Sequence, residues 1–477
     1  MEYRDSIRKM ADYINENFVA EVPRNPYYPE KTAYDCFKNM GNEASRMIPI
    51  TTTYLILNSI MGKNTLIEGG SGTAKTHLAS VVASTLSQLP YEFFERRKIT
   101  GIPGVSVNDI YATTDLAELQ KGKDVAFLYQ SAYSPTLIID ELNRFDEFAQ
   151  NKIREGIASH VWQYANHSWK IPGQIVIATI NPETYGGTFI LNENLIDNFS
   201  LVLEPPYFNL IVHEDIVLNS RFKVKEKLGL EKLVDKLDFF YERNKNNCSD
   251  ILKKISEIQD ETIKKFEERG VPFVHNGKLE IIRNEINGIE IDPEARLFIY
   301  SMLSEANWSK QFGRVRYEDP RSNSSHDRNY VQFLNKESFA GRVLQDLEST
   351  TKMIAWYSGK EKADSEDVKG AFIYTTPRRI KPHAEFYQEC LNANRNLPIN
   401  HEMARKLIET AWSNFVDFKG ARNENLSFQR CREAIIRLQK GDHTGAVDVL
   451  EKTDHPLAST ILEAIAVNSL KNKQKNR

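Results

Sequence analysis

Apolar positions along the chain change period several times, and each change predicts a different element. Ile7, Met10 and Ile14 recur three and four residues apart, which predicts a short amphipathic helix; Pro23, Pro26 and Pro29 follow and predict an irregular connector. Compact apolar runs then replace the helical spacing: Leu66-Ile67, Leu137-Ile138-Ile139 within Thr136–Glu141, and Ile175-Val176-Ile177 within Gln174–Ile180. Runs of this kind predict buried strands. The helix-like stretch His77–Ala83 after the first run completes a strand, turn and helix, and the chain reads as an α/β protein with a parallel sheet. Trp162–Lys170 alternates around Asn166-His167, which predicts a hairpin with an Asn-His turn.

Helical spacing dominates afterwards. Between Lys223 and Gly270 charged and amide residues surround Ile251, Ile255, Ile258 and Ile263, which predicts a solvated helical hairpin, with a partner-docking arm as the sharper alternative. The Asn- and Ser-rich stretch Asp319–Asn329 predicts a loop. Beyond Pro382 the chain reads as helical. Ala434, Leu438, Gly441-Asp442, Ala446 and Leu450 faintly resemble one tetratricopeptide-type hairpin, but stacked repeats need about three copies, so a helical cap is expected. Lys471–Arg477 is expected to be a disordered, solvated end.

The strand ends carry the candidate chemistry. Gly69-Gly70-Ser71-Gly72-Thr73-Ala74-Lys75-Thr76 joins the Leu66-Ile67 strand to the helix, the arrangement that cradles nucleotide phosphates: glycines let backbone N–H groups converge, Lys75 reaches the β and γ oxygens, and Thr76 offers a hydroxyl to Mg²⁺. Alanine replaces the usual glycine before the lysine. Asp140 and Glu141 end the second run, where one carboxylate can hold Mg²⁺ through its water shell and the other can orient or deprotonate an attacking water. Asn181 ends the third and can hold that water or the γ-phosphate between the other two.

In this order and rough spacing the three segments resemble Walker A, Walker B and sensor 1 of an AAA+ ATPase. The detailed strings resemble the MoxR branch: Leu66–Thr76 its alanine-containing phosphate loop, Asp140-Glu141-Leu142-Asn143-Arg144 its DEINR, Ala178–Pro182 its ATQNP, and Gly187–Glu193 with Leu195–Phe199 its GTYPLPEAQLDRF. The resemblance continues loosely to about residue 385, through Glu290–Tyr300 as a first lid helix, Ser338–Arg342 as a sensor 2 helix and Asp364–Lys369 as a closing element. It implies that Arg342 reaches the γ-phosphate from the lid, that Ile99–Gly104 is a loop facing a ring pore or a client, and that the hairpin is a surface insert. Where that family carries an arginine projecting into the neighbouring subunit's site, this chain has Asn198. An arginine finger is worth about 10³ to 10⁵ in rate. Either Arg144, Arg154 or Arg221 acts in trans, or hydrolysis is slow until a partner supplies the charge.

The implied architecture is an N-terminal helix and connector over 1–30, an AAA+ αβα core over 31–205, a helical lid over 206–385 and a C-terminal helical region over 386–477. The implied function is ATP hydrolysis with Mg²⁺ in a homo-oligomeric ring, a hexamer, that remodels or matures a protein client, often beside a von Willebrand factor A domain partner. A nucleic-acid motor and a nucleotide-gated scaffold with little turnover are the alternatives. Net charge of −3 with 27% charged residues gives no bulk attraction to nucleic acid or anionic membrane. Cys36, Cys248, Cys390 and Cys431 are too scattered for a disulfide framework or a clustered zinc site, and fit a reduced cytoplasm. The ten histidines show no paired ligand spacing, and His77, His160 and His167 are expected to be core or surface residues. No stretch approaches the ~20 apolar residues of a membrane helix. The charged start Met1–Asp5, with no apolar stretch behind it, carries no expectation of secretion.

Overall fold

Five strands, apolar at most of their buried positions, form one parallel sheet in the computed structural model of the chain. They are β1 (Thr65–Glu68), β2 (Ile99–Thr100), β5 (Thr136–Asp140), β8 (Ile175–Ile180) and β9 (Leu201–Leu203), in the spatial order β2-β5-β8-β1-β9. The structure describes every residue except 1, 20, 30–46, 105–107, 172, 184, 207–223, 308–338, 340, 394–396, 421–424 and 476–477. Cys36, Arg221 and the loop expected at 319–329 lie outside the described residues.

The described chain divides into two units, Met1–Glu285 and Ile286–Arg477. In the first, both sheet faces are covered, so the central strands show no polar alternation: Leu66, Ile67, Leu137, Ile139 and Ala178 are wholly buried. Helix α1 (Glu2–Ile14) buries Ile7, Met10 and Ile14, as its spacing predicts. Helix α2 (Ile50–Ile60) is buried at all its positions. Its N-terminus has no cap of its own: the buried Glu21 carboxylate accepts from Thr51 N at 2.8 Å, Thr52 N at 3.0 Å and Thr52 Oγ1 at 2.9 Å. Negative charge at the positive end of a helix is favourable, which offsets part of the cost of burying that carboxylate. Helix α3 (Lys75–Ser87) packs Leu78, Val81 and Val82 inward, and α4 (Tyr91–Arg97) leads into β2.

Two antiparallel pairs decorate this unit, β3 (Ala112–Thr114) with β4 (Ala126–Leu128), and β6 (Val161–Tyr164) with β7 (His167–Lys170), the latter following α5 (Glu147–Ser159). The hairpin expected at 162–170 is present, but its turn is Ala165-Asn166, with Ala165 at φ 49°, and His167 pairs with Tyr164 inside the ladder. Ile99 and Thr100, expected as part of a loop, form the edge strand β2, which is too short for periodicity to reveal.

The charged stretch after residue 223 forms the expected hairpin of α6 (Glu231–Asn244) and α7 (Cys248–Glu268), followed by α8 (Asn276–Gly288). Its buried stripe is Ile251, Ile255, Ile258, Thr262 and Phe266; Ile263, expected inside, sits one position off that face and is half-buried. The hairpin docks on the core through Arg97 and Asp238, Tyr241 Oη donating to Leu128 O at 2.6 Å, and Gln259 Nε2 donating to Ser87 O at 2.7 Å.

In the second unit β10 (Glu290–Ile291) pairs in parallel with β11 (Lys362–Ala363) among helices α9 (Pro293–Asn307), α10 (Gly341–Ser358), α11 (Ser365–Thr375), α12 (Ala384–Asn392), α13 (Ile399–Lys419), α14 (Leu426–Gln439), α15 (His443–Glu451) and α16 (Pro456–Lys475). Phe298, Trp412, Phe415 and Phe428 join α9, α13 and α14 through ring contacts of 5.0–5.7 Å. Helix α16 continues to Lys475, so the tail expected to be disordered from Lys471 is helical nearly to its end. No described helix is long and apolar enough to cross a membrane.

Candidate active site

Strand order brings the three motif segments together. Because β8 lies between β5 and β1, Asn181 at the end of β8 falls between Glu141 at the end of β5 and the loop that leaves β1. The carboxyl edge of an open parallel sheet is where such folds bind ligands.

The loop Gly69–Ala74 is built for an anion. Gly72 has φ 77°, and Ala74, which ends the loop, has φ 58°, a left-handed conformation that explains why glycine is usual there. Among the described residues no acceptor takes the backbone N–H groups of Gly70 through Ala74. Unsatisfied donors at the start of the 13-residue helix α3 could take an anion such as a phosphate. Ser71 and Gly72 are open to solvent, Thr73 closes the turn through Thr73 Oγ1 donating to Gly70 O at 2.7 Å, and Gly69 lies against Pro205.

Lys75 is buried under this loop. Its Nζ donates to Gly69 O at 2.7 Å, Gly70 O at 2.6 Å and Asn181 Oδ1 at 3.2 Å. Burial lowers its pKa, and the negative charges of Asp140 and Glu141 oppose that shift. Thr76 Oγ1 donates to Asp140 Oδ1 at 2.6 Å, so the two expected metal-binding groups already touch. Two hydroxyl or water-bridged oxygens of this kind suit Mg²⁺, which prefers few protein ligands and keeps several waters.

Asn181 joins the two halves. While its Oδ1 faces Lys75, its Nδ2 donates to Glu141 Oε1 at 2.8 Å. The other Glu141 oxygen pairs with Arg144 Nε at 3.1 Å, and Glu141 itself is left-handed, with φ 55°. Arg144, expected as a candidate to act on a neighbour, is therefore engaged with a carboxylate of its own chain. Arg154 lies on α5, and Arg342 is an exposed residue at the start of α10 in the second unit. Asn198 follows a short helical turn, and its Nδ2 donates to Asn194 O at 2.8 Å.

Three participants were not anticipated. Thr179 Oγ1 donates to Asp140 Oδ1 at 2.6 Å and accepts from Glu141 N at 3.0 Å, tying β8 to both carboxylates. Its signal was a hydroxyl in an otherwise apolar run. Asn143 Nδ2 donates to Asn181 O at 2.8 Å and fixes the backbone on which the amide sits. Tyr185 places its hydroxyl 3.4 Å from where a Cβ on Gly70 would lie, a proximity with no signal in the sequence.

Residues 64–201 match the family described as "ATPase family associated with various cellular activities (AAA)". The chain thus carries an AAA-family ATPase domain, and its first unit holds that family's parallel sheet. At the level of the whole fold, a crystal structure from Cytophaga hutchinsonii, whose description as an ATPase is itself provisional, superimposes with a TM-score of 0.50 at 17% identity, covering 86% of this chain and 94% of that one. No curated protein sequence matches the chain.

Proposed function

We propose that the chain is a MoxR-type AAA+ ATPase of the cytoplasm that assembles as a hexameric ring and uses ATP hydrolysis to remodel or mature a protein client, beside a partner with a von Willebrand factor A domain. One observation carries the catalytic part: Lys75, Asn181, Glu141, Thr179, Asp140 and Thr76 form a continuous hydrogen-bonded network, with Thr179 bridging Glu141 N and Asp140, under a loop with open N–H donors. Lys75 exchanges its carbonyl partners for β- and γ-phosphate oxygens. Thr76 and Asp140 hold Mg²⁺, which when bound neutralises phosphate charge. Glu141 orients and deprotonates the attacking water, Asn181 holds Glu141 and Lys75 in register, and Arg342 contacts the γ-phosphate from the lid.

Exposed apolar side chains support assembly. Ile102, Phe189 and Ile190 on loops and Phe148 in the first turn of α5 are 55%, 41%, 80% and 66% exposed, where a second subunit would cover them. Asn198 favours a second reading, a nucleotide-gated scaffold with slow turnover, because a neutral amide cannot supply transition-state charge.

Native mass measurement beside a turnover assay separates these readings. An ATP-dependent hexamer with slow hydrolysis is expected, and Asn198→Arg should raise kcat severalfold, well below the ~10³ to 10⁵ of a fully supported finger. A monomer under every nucleotide condition would reject the ring. Fast turnover by the unaltered protein would reject the role given to Asn198.

A further inference from the structure

We propose that the Tyr185 hydroxyl donates a hydrogen bond to the terminal phosphate of the bound nucleoside triphosphate. The inference rests on the phosphate-loop reading and assigns that site a further binding residue. Tyr185 sits on the loop that leaves Asn181, four residues beyond it. The loop is held by its own hydrogen bonds: Tyr185 N donates to Pro182 O at 3.0 Å, and Thr188 Oγ1 donates to Tyr185 O at 2.8 Å and to Glu183 O at 3.1 Å. The ring therefore has an anchored backbone on one side and the phosphate loop on the other.

Gly70 fixes the direction. Its carbonyl takes the Lys75 ammonium at 2.6 Å, and a Cβ on the same residue would lie 3.4 Å from the Tyr185 hydroxyl. The phenol and the lysine thus flank one residue of the cradle, at the end where Lys75 and Asn181 meet. Since the lysine of such a loop serves the β- and γ-phosphates, a donor beside it faces the outermost phosphate. The hydroxyl has no hydrogen-bond partner among the described residues, and Tyr185 is 44% exposed, so neither a competing bond nor tight packing holds it away.

A donor here matters more in this chain than where an arginine reaches in from a neighbour, because Asn198 occupies that position and offers no charge.

The test compares Tyr185→Phe with the unaltered protein by calorimetry, using a non-hydrolysable ATP analogue and ADP, each with Mg²⁺. Removing one half-exposed hydrogen bond to a charged group should weaken the analogue by about tenfold. ADP affinity should stay within about twofold, because ADP lacks the phosphate that the hydroxyl meets, and the melting temperature without nucleotide should not change. Equal loss of both nucleotides, or no loss of either, would overturn the assignment. Lys75→Ala in the same series separates the two claims. If it abolishes binding while Tyr185→Phe changes nothing, only the tyrosine assignment fails; if Lys75→Ala binds normally, the phosphate loop and the inference fall together.

Discussion

Gly69 has no room for a side chain. A Cβ there would lie 2.5 Å and 2.8 Å from Pro205 Cγ and Cδ, inside any real contact, and a proline ring cannot swing aside as a lysine tip can. Gly69→Ala should therefore push the loop away from the sheet end, lowering stability by about 1 to 3 kcal/mol and weakening ATP binding. A thermal melt and a titration check both; a variant as stable and as tight-binding as the parent would show that the loop tolerates displacement. The residues with a chemical signature were legible in the sequence, because Lys75 and Thr76 open a helix after a glycine-rich loop and Asp140, Glu141 and Asn181 stand at strand ends, where few other functions place such groups together. Their supports were not. Thr179 and Asn143 are ordinary polar residues until the register of β5 against β8 sets them beside Asp140 and Asn181, and the Arg144 pair with Glu141 depends on a left-handed backbone that no composition reveals.

Among the elements, α11 carries a measurable electrostatic signature. Its N-terminus is closed by a capping box in which Asp364 accepts from Asp367 N while Asp367 accepts from Asp364 N, and Lys360 Nζ lies 2.7 Å from Asp364 and 2.9 Å from Asp367. Asp367 is wholly buried, and that burial raises its pKa to about 6 despite the backbone bond and Lys360; Asp364, held by Lys360, moves the other way. A carboxyl with a higher pKa folded than unfolded binds its proton more tightly in the folded state. Its stabilising contribution is complete below about pH 4 and is lost as pH rises through about 6. The difference in stability between the parent and Asp367→Asn should therefore shift toward the parent by up to about 3 kcal/mol as pH falls from 7 to 4, less whatever Asp364 withdraws. Paired melts across that range read it, and a pH-independent difference would show that Asp367 titrates normally. Longer elements were the legible ones. The hairpin of α6 and α7 and the buried strands β1, β5 and β8 follow from spacing over many residues, whereas β2 has two residues and the Ala165-Asn166 turn differs by one from the one its composition suggests.

For the whole molecule, two units divide the expected work. The first contains the glycine-rich loop, both carboxylates and Asn181, while Arg342 belongs to the second. The division at residue 285 also assigns the charged hairpin to the unit that holds the sheet, where it packs on α3 and α4. The resemblance set it within the helical lid over 206–385; spacing alone could not assign it, because an amphipathic hairpin shows which face is buried and not what buries it. The central claim is that this network hydrolyses ATP with Glu141 as the group that activates water, and the most direct measurement is a single-turnover assay, with protein in excess over radiolabelled ATP so that a slow rate is still read. The parent should convert bound ATP to ADP, and Glu141→Gln should bind ATP with similar affinity and retain it unhydrolysed, since the amide keeps the shape and loses the base. Conversion by Glu141→Gln at the parent's rate, or failure of the parent to bind ATP, would contradict the account.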